Sequence, residues 1–430
     1  MERYSEYKDS GVQWLGEIPG HWICTSLGRV LSEKLQYGAS ESGDLECTND
    51  SMRYIRITDI TIDGKLKPDG CKFLSSEIGK NYPVRKGDVL LARSGATVGK
   101  AFIYNEDDDA CYAGYLIKAS VQQEKVLPQF FFYFTQTSQY DEWKNRIFIQ
   151  ATIQNISAEK YARMSLCIPP LSEQHSIVTY LDDKCAKIDK MLEGKQKQIE
   201  LLAEMKQRII ADAVTRGLNP NVKMKTTNIP WLPEIPEHWE MDSLRRFLKI
   251  FTEKGHSDKQ LLSVTREQGV IERNTKSKEE NHNFIPEDLS GYKFVQAGDF
   301  VINKMKSWQG SYGVSEYEGI VSPAYFTCKL QGVDKDFFST AIRSKIYVSF
   351  FARYSKGIRV DQWDLSPVAL KTIPFALPPI DEQRAIVTHI NLKVSKIDTL
   401  TLKLQQEIES IKEYKQRLIS DVVTGQIKVC

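Results

Sequence analysis

Ile168–Val178 reads IPPLSEQHSIV, and Leu377–Val387 reads LPPIDEQRAIV, the same phrase 209 positions further on. Held at that offset, residues 169–215 match 378–424 without a gap, with 22 of 47 positions identical. A period this long is far beyond a solenoid repeat, so the chain carries a duplicated, domain-sized unit. A second phrase also returns: EIPGHW (Glu17–Trp22) becomes EIPEHW (Glu234–Trp239), at offset 217. The order is therefore variable segment, constant element, variable segment, constant element.

The constant element reads as a long helix. Pro-Pro ends an extended segment, Ser172 or Asp381 is placed to cap, and Glu173 or Glu382 falls in the first turn. A heptad seam runs through Leu181, Ile188, Leu192, Ile199, Leu202 and Ile209 in the first copy. Ile390, Ile397, Leu404, Ile408, Ile411 and Leu418 continue the pattern in the second. Steps of three and four sustained this long indicate a coiled-coil seam, and two matching seams in one chain most simply pair with each other. At 1.5 Å per residue such a helix spans roughly 65 Å. Gly217 with Asn219-Pro220 is a plausible stop for the first helix. Lys206 and Lys415 occupy the same seam position in both copies, which fits either a snorkelling lysine or a register-setting one.

The variable segments share little beyond a Tyr…Gly-Asp signpost, Tyr82…Gly87-Asp88 and Tyr292…Gly298-Asp299. Short runs rich in β-branched and aromatic residues, such as MRYIRITDI, GDVLLARSG and GIVSPAYFTCKL, predict strands. Each segment then closes with an aromatic helical stretch, PQFFFYFTQTSQYDEW or KDFFSTAIRSKIYVSFFARY. The fold class expected is α+β: two mixed globules, each followed by a long helix. The boundaries read from sequence are 1–167, 168–218, 219–376 and 377–430.

Bulk composition narrows the function only by exclusion. At 430 residues, 41% hydrophobic and 27% charged, the chain reads as globular and multi-domain, without a membrane-length apolar run or a secretion signal. Eight scattered cysteines without a CxxC pair point to a reducing cytoplasm rather than a disulfide framework or zinc site. The net charge of +2 means that any nucleic-acid surface must gather its cations on one face. GATVGKA (Gly95–Ala101) is one residue short of a phosphate loop and has Ala101 where Ser or Thr would hold magnesium. The six histidines show no HExxH or HxH spacing. The acidic run Glu106–Asp109 reads as a loop tip, and neither Pro-Pro pair has the flanks of a base methyltransferase. No catalytic constellation and no metal site is expected.

The IPxHW openings and the PPxxEQ helices with KID and KQR, all in duplicate, resemble the specificity subunit of type I restriction–modification systems. GDVLLARSGATVGK resembles a signpost of that family's target-recognition domains, and QNIS (Gln154–Ser157) and WDLS (Trp363–Ser366) resemble their closing segment. GDFVINKMKSWQGS departs from the pattern after Gly-Asp. The resemblance implies two target-recognition domains, each reading one half of a bipartite site on double-stranded DNA. It also implies that the two helices form an antiparallel coiled coil, giving a pseudo-twofold repeat that sets the spacing. The family's subunit binds no cofactor of its own. It recruits two methyltransferase subunits using S-adenosylmethionine, and restriction/translocase subunits using ATP and Mg.

Under that reading the DNA-contacting candidates lie near the Gly-Asp signpost: Arg93, Ser94, Thr97 and Lys100, then Asn303, Lys304, Lys306, Gln309 and Ser311. Arg53, Arg56, Arg266 and Arg273 follow on the same logic, since such side chains address base edges or phosphates. A second reading stays open: a non-catalytic scaffold with two protein-interaction heads on a coiled-coil spacer, favoured by the near-neutral charge.

Overall fold

The computed structural model describes residues 2–429 apart from 45–46, 49, 62–65, 68, 96, 150–153, 274–285, 287 and 358–362. Ala96 of GATVGKA and Cys430 thus lie outside the described residues. The chain divides into two compact units, Met1–Lys195 with Gln405–Cys430, and Gln196–Leu404. Both divisions fall inside the long helices, so each unit contains one variable segment and a portion of each helix.

In the first unit a four-stranded antiparallel sheet runs Gln36–Tyr37, Leu116–Ala119, Val89–Ala92, Ala101–Ile103. In the second unit the same order recurs: Leu248–Phe251, Phe326–Leu330, Phe300–Ile302, Tyr312–Val314. A further sheet of the first unit mixes directions, with Ala110–Tyr112 parallel to Ser51–Ile55. The aromatic stretches are helical, at Pro128–Phe134 and Ser138–Ile149 in one unit, Lys335–Ile342 and Lys345–Tyr354 in the other. They bury Phe130, Phe131 and Tyr140, and Phe337, Phe338 and Phe351, which supply the apolar area that holds sheet and helices together.

Each domain is tied shut where the strand after its HW phrase meets the strand before its long helix. Ile23–Ser26 pairs with Ser165–Ile168, and Glu240–Ser243 with Pro374–Leu377. The first of these pairs corrects the reading of the cysteines. The antiparallel register sets Cys24 opposite Cys167, and the two are bonded, although 143 positions separate them. The equivalent pair in the second unit is Met241 opposite Ala376.

The long helices run Leu171–Arg216 and Ile380–Val423. Both begin two residues earlier than a cap at Ser172 or Asp381 requires. The carbonyl of Pro170 accepts from Gln174 N at 3.0 Å, and that of Pro379 from Gln383 N at 2.9 Å, so the second proline opens each helix. Gly217 and Gly425 follow the helix ends with φ of +74° and +76°, a left-handed conformation that glycine adopts without a Cβ penalty. In the first unit the two helices are antiparallel: Lys195 pairs with Glu407 and Lys415 with Asp189, each at 2.5 Å. In the second unit Lys206 pairs with Asp398 at 2.8 Å. Asp189 and Asp398 are the acids of the two KID motifs, and Lys415 and Lys206 the lysines of the two KQR motifs. The two repeated triplets are therefore ion-pair partners on facing helices. Of the seam positions, Leu181, Ile390, Ile397, Leu404, Ile408 and Leu418 are buried, and Ile188, Leu192, Ile199, Leu202, Ile209 and Ile411 half-buried.

Candidate nucleic-acid interface

The repeated phrases are clamps. In the first unit Glu173 is buried and accepts from Trp22 Nε1 at 3.2 Å and Tyr4 Oη, with His21 Nε2 at 2.9 Å. In the second unit Glu382 accepts from Trp239 Nε1 at 3.0 Å, with His238 Nε2 at 2.7 Å. The adjoining glutamine secures the loop that leads into the aromatic helices. Gln174 Oε1 accepts from Leu127 N at 2.8 Å while its Nε2 donates to Lys125 O and Pro169 O. Gln383 Oε1 accepts from Asp334 N at 2.8 Å while its Nε2 donates to Pro378 O. The HW of the opening phrase thus grips the E of PPxxEQ, and the Q grips the domain. Hydrogen bonds to a charged group contribute roughly 1.5–3 kcal/mol each, which makes these polar clusters strong fixings for the sheets.

The Gly-Asp signpost is a turn. Asp88 Oδ2 accepts from Arg85 N at 2.7 Å and Asp299 Oδ2 from Gln296 N at 2.9 Å, so each carboxylate closes the loop before its strand. The other contact differs: Ser120 Oγ donates to Asp88, whereas Lys329 pairs with Asp299 at 2.8 Å.

Beyond the turn, the strands Val89–Ala92 and Phe300–Ile302 lead to the candidate residues. Arg93 is half-buried, its guanidinium carbon 4.6 Å from the centroid of the Tyr37 ring. Ser94 forms a bridge with Asn155, Thr97 lies in the following turn, and Lys100 is exposed. In the second unit Lys304 pairs with Asp364 at 2.9 Å, Lys306 is exposed and Gln309 half-buried. Asn303 and Ser311 depart from the expectation of exposed contact residues: both are buried at the loop base, where Asn303 N donates to Ser311 O. Asn303 Nδ2 instead reaches Tyr325 Oη at 3.3 Å.

The four weaker candidates are held by the protein itself. Arg56 grips Asp59 through two nitrogens, at 3.0 and 2.5 Å, and this hydrogen-bonded carboxylate raises its guanidinium pKa. Arg53 donates to Lys67 O at 3.1 Å. Arg266 lies 3.5 Å from Glu267, and Arg273 is half-buried beside the edge of the second unit's sheet, its N donating to Leu261 O. The sequence reading passed over Tyr37 and Lys293. Lys293 Nζ donates to Tyr325 O at 2.6 Å, and its amine is pushed below the usual range by burial and then by Lys254 and Lys304. No motif marks either residue, since only the sheet brings them beside the loop. In the acidic run, Asp107 pairs with Lys86 and Asp108 accepts from Tyr104 Oη. Among the described residues no helix is long and apolar enough to cross a membrane.

With this geometry in place, comparison with known proteins is informative. Residues 40–201 match the sequence model of the type I restriction modification DNA specificity domain. The specificity subunit of the type I restriction enzyme MjaVIII from Methanocaldococcus jannaschii is 24% identical over 372 residues, 81% of each chain. The EcoKI specificity subunit of Escherichia coli K12 is 21% identical over 437 residues, 96% of this chain and 90% of that one. A chain from structural work on complex assembly and conformational transition of the type I R-M system superposes with a TM-score of 0.68. It is 14% identical, over 95% of this chain and 99% of that one. The HsdS subunit of Thermoanaerobacter tengcongensis gives 0.51 at 14% identity, over 95% and 98%. At such identities the structural likeness speaks to the fold.

Proposed function

We propose that the chain, like the specificity subunits it matches, is the non-catalytic, DNA-reading part of a type I restriction–modification complex. Each variable domain, 1–167 and 219–376, reads one half of a bipartite site, and the two half-sites differ because the loops differ. The helical elements 168–218 and 377–430 set the spacing between half-sites and dock two methyltransferase subunits and the restriction subunits. S-adenosylmethionine, ATP and Mg act on those partners, and the complex works in the cytoplasm.

The observation that carries this reading is the pairing of identical frame contacts with different loops. Glu173 and Glu382 are held by equivalent Trp and His residues, while the aspartates that open the loops take different partners, Ser120 for Asp88 and Lys329 for Asp299. A common mount with exchangeable tips suits two reading heads on one duplex.

Exchange of residues 18–167 for those of a relative tests it. Sequencing of methylated bases in a host carrying the exchanged subunit should show one half-site changed and the other half-site and spacing kept. A change in both halves, or in neither, would overturn the assignment of one domain to one half-site.

A further inference from the structure

Arg93 and Lys304 occupy the same place in their two sheets. Each lies five residues after the turn-forming aspartate, at an offset of 211 that neither repeated phrase shares. Each is fastened to the segment that closes its domain. Arg93 O accepts from Ile156 N at 2.9 Å, and Lys304 O accepts from Leu365 N at 3.1 Å. The side chains are fastened to that segment too, by different means. Arg93 lies over the Tyr37 ring, whose Oη accepts from Ala158 N at 3.0 Å. Lys304 Nζ reaches Asp364 directly.

We propose that Arg93 and Lys304 are the paired phosphate anchors of the two heads, gripping the DNA backbone and leaving base choice to the loops around them. This rests on the DNA-reading function proposed above. Two heads built for different base sequences have one ligand chemistry in common, the phosphate, and a cation kept at one register position suits what both half-sites share. The environments agree. Among the described residues no carboxylate pairs with Arg93, and the ring beneath it holds the planar guanidinium while leaving N–H edges for phosphate oxygens. In the second head Lys254 and Lys304 each repel the half-buried Lys293 amine, and Asp364 is the carboxylate on Lys304. An arriving phosphate relieves that repulsion.

The test uses the protein assembled with its methyltransferase subunits and measures DNA affinity across a salt series. Arg93→Ala and Lys304→Ala should each lower the slope of log K against log [salt] by about 0.9. Each should weaken binding to the target and to duplexes altered in either half-site by the same factor, so that selectivity is kept. Arg93→Lys should restore the slope, since a phosphate accepts either cation, and this variant also controls for misfolding. Asp364→Asn, which frees Lys304, should tighten binding.

A changed base preference in Arg93→Ala or Arg93→Lys would overturn the proposal by making Arg93 a base reader. An unchanged slope in both alanine variants would overturn it by removing the contacts. Absence of salt-dependent DNA retention by the wild-type complex would overturn the DNA reading itself, and this inference with it.

Discussion

Glu173 and Glu382 meet their tryptophans at 3.2 and 3.0 Å and their histidines at 2.9 and 2.7 Å, in domains whose loops otherwise diverge. Beyond the sheet turns the loops differ: Thr97 is half-buried and Lys100 exposed in the first unit, while Ser307 and Ser311 are buried in the second. The difference shows where each kind of physical constraint acts. Buried polar groups must be satisfied, so the clamp admits few alternatives. A solvated loop carries no such obligation and is free to change.

The comparison is broken most severely at the tryptophans. Trp22→Ala and Trp239→Ala should each cost about 3–5 kcal/mol of unfolding free energy, read by denaturant titration, because both side chains are fully buried. Similar losses at the two sites support an equivalent frame, and a loss at one alone would make it asymmetric. Removal of the carboxylates sharpens the point. Glu173→Ala should cost about 3 kcal/mol and Glu382→Ala about 2, since among the described residues no tyrosine bonds Glu382 as Tyr4 bonds Glu173, and Glu382 is less buried. Thermal melts that reverse this order would contradict the clamp geometry.

A smaller effect is expected along the helices. Lys206→Ala and Lys415→Ala should each lower stability by less than about 1 kcal/mol, because both ion pairs are half-exposed. A charge-reversed double variant, Lys415→Asp with Asp189→Lys, should recover most of the single loss.

The mildest test leaves stability untouched. Alkylation of the native protein followed by mass spectrometry should label Cys47 and Cys71 first. Burial raises the thiol pKa of Cys111 to about 11 and of Cys328 to about 12, so neither forms thiolate at neutral pH. Cys24 and Cys167 should label only after reduction, a contrast absent from the second domain with its Met241 and Ala376.

Much of this architecture was legible without coordinates. The doubled PPxxEQ phrase, the heptads and the Gly217 stop of the first helix identified two long helices, because helical periodicity is written locally. The strands at Val89–Ala92 and Phe300–Ile302 were legible for the same reason. The site was legible only as a neighbourhood. Arg93 and Lys304 were named together with Asn303 and Ser311, and only the folded chain separates them, since the latter two are buried. Arg56 looked available until Asp59 was seen beneath it.

What the sequence determined by itself is the order of parts: head, helix, head, helix, with the phrases that join them and the family they mark. Only the tertiary structure decided what those phrases touch. The grip of Trp22 on Glu173, the KID–KQR ion pairs and the Cys24–Cys167 bond each link residues over 140 positions apart. Contacts at that range follow from strand register and helix direction, properties of the assembled chain that no local pattern encodes.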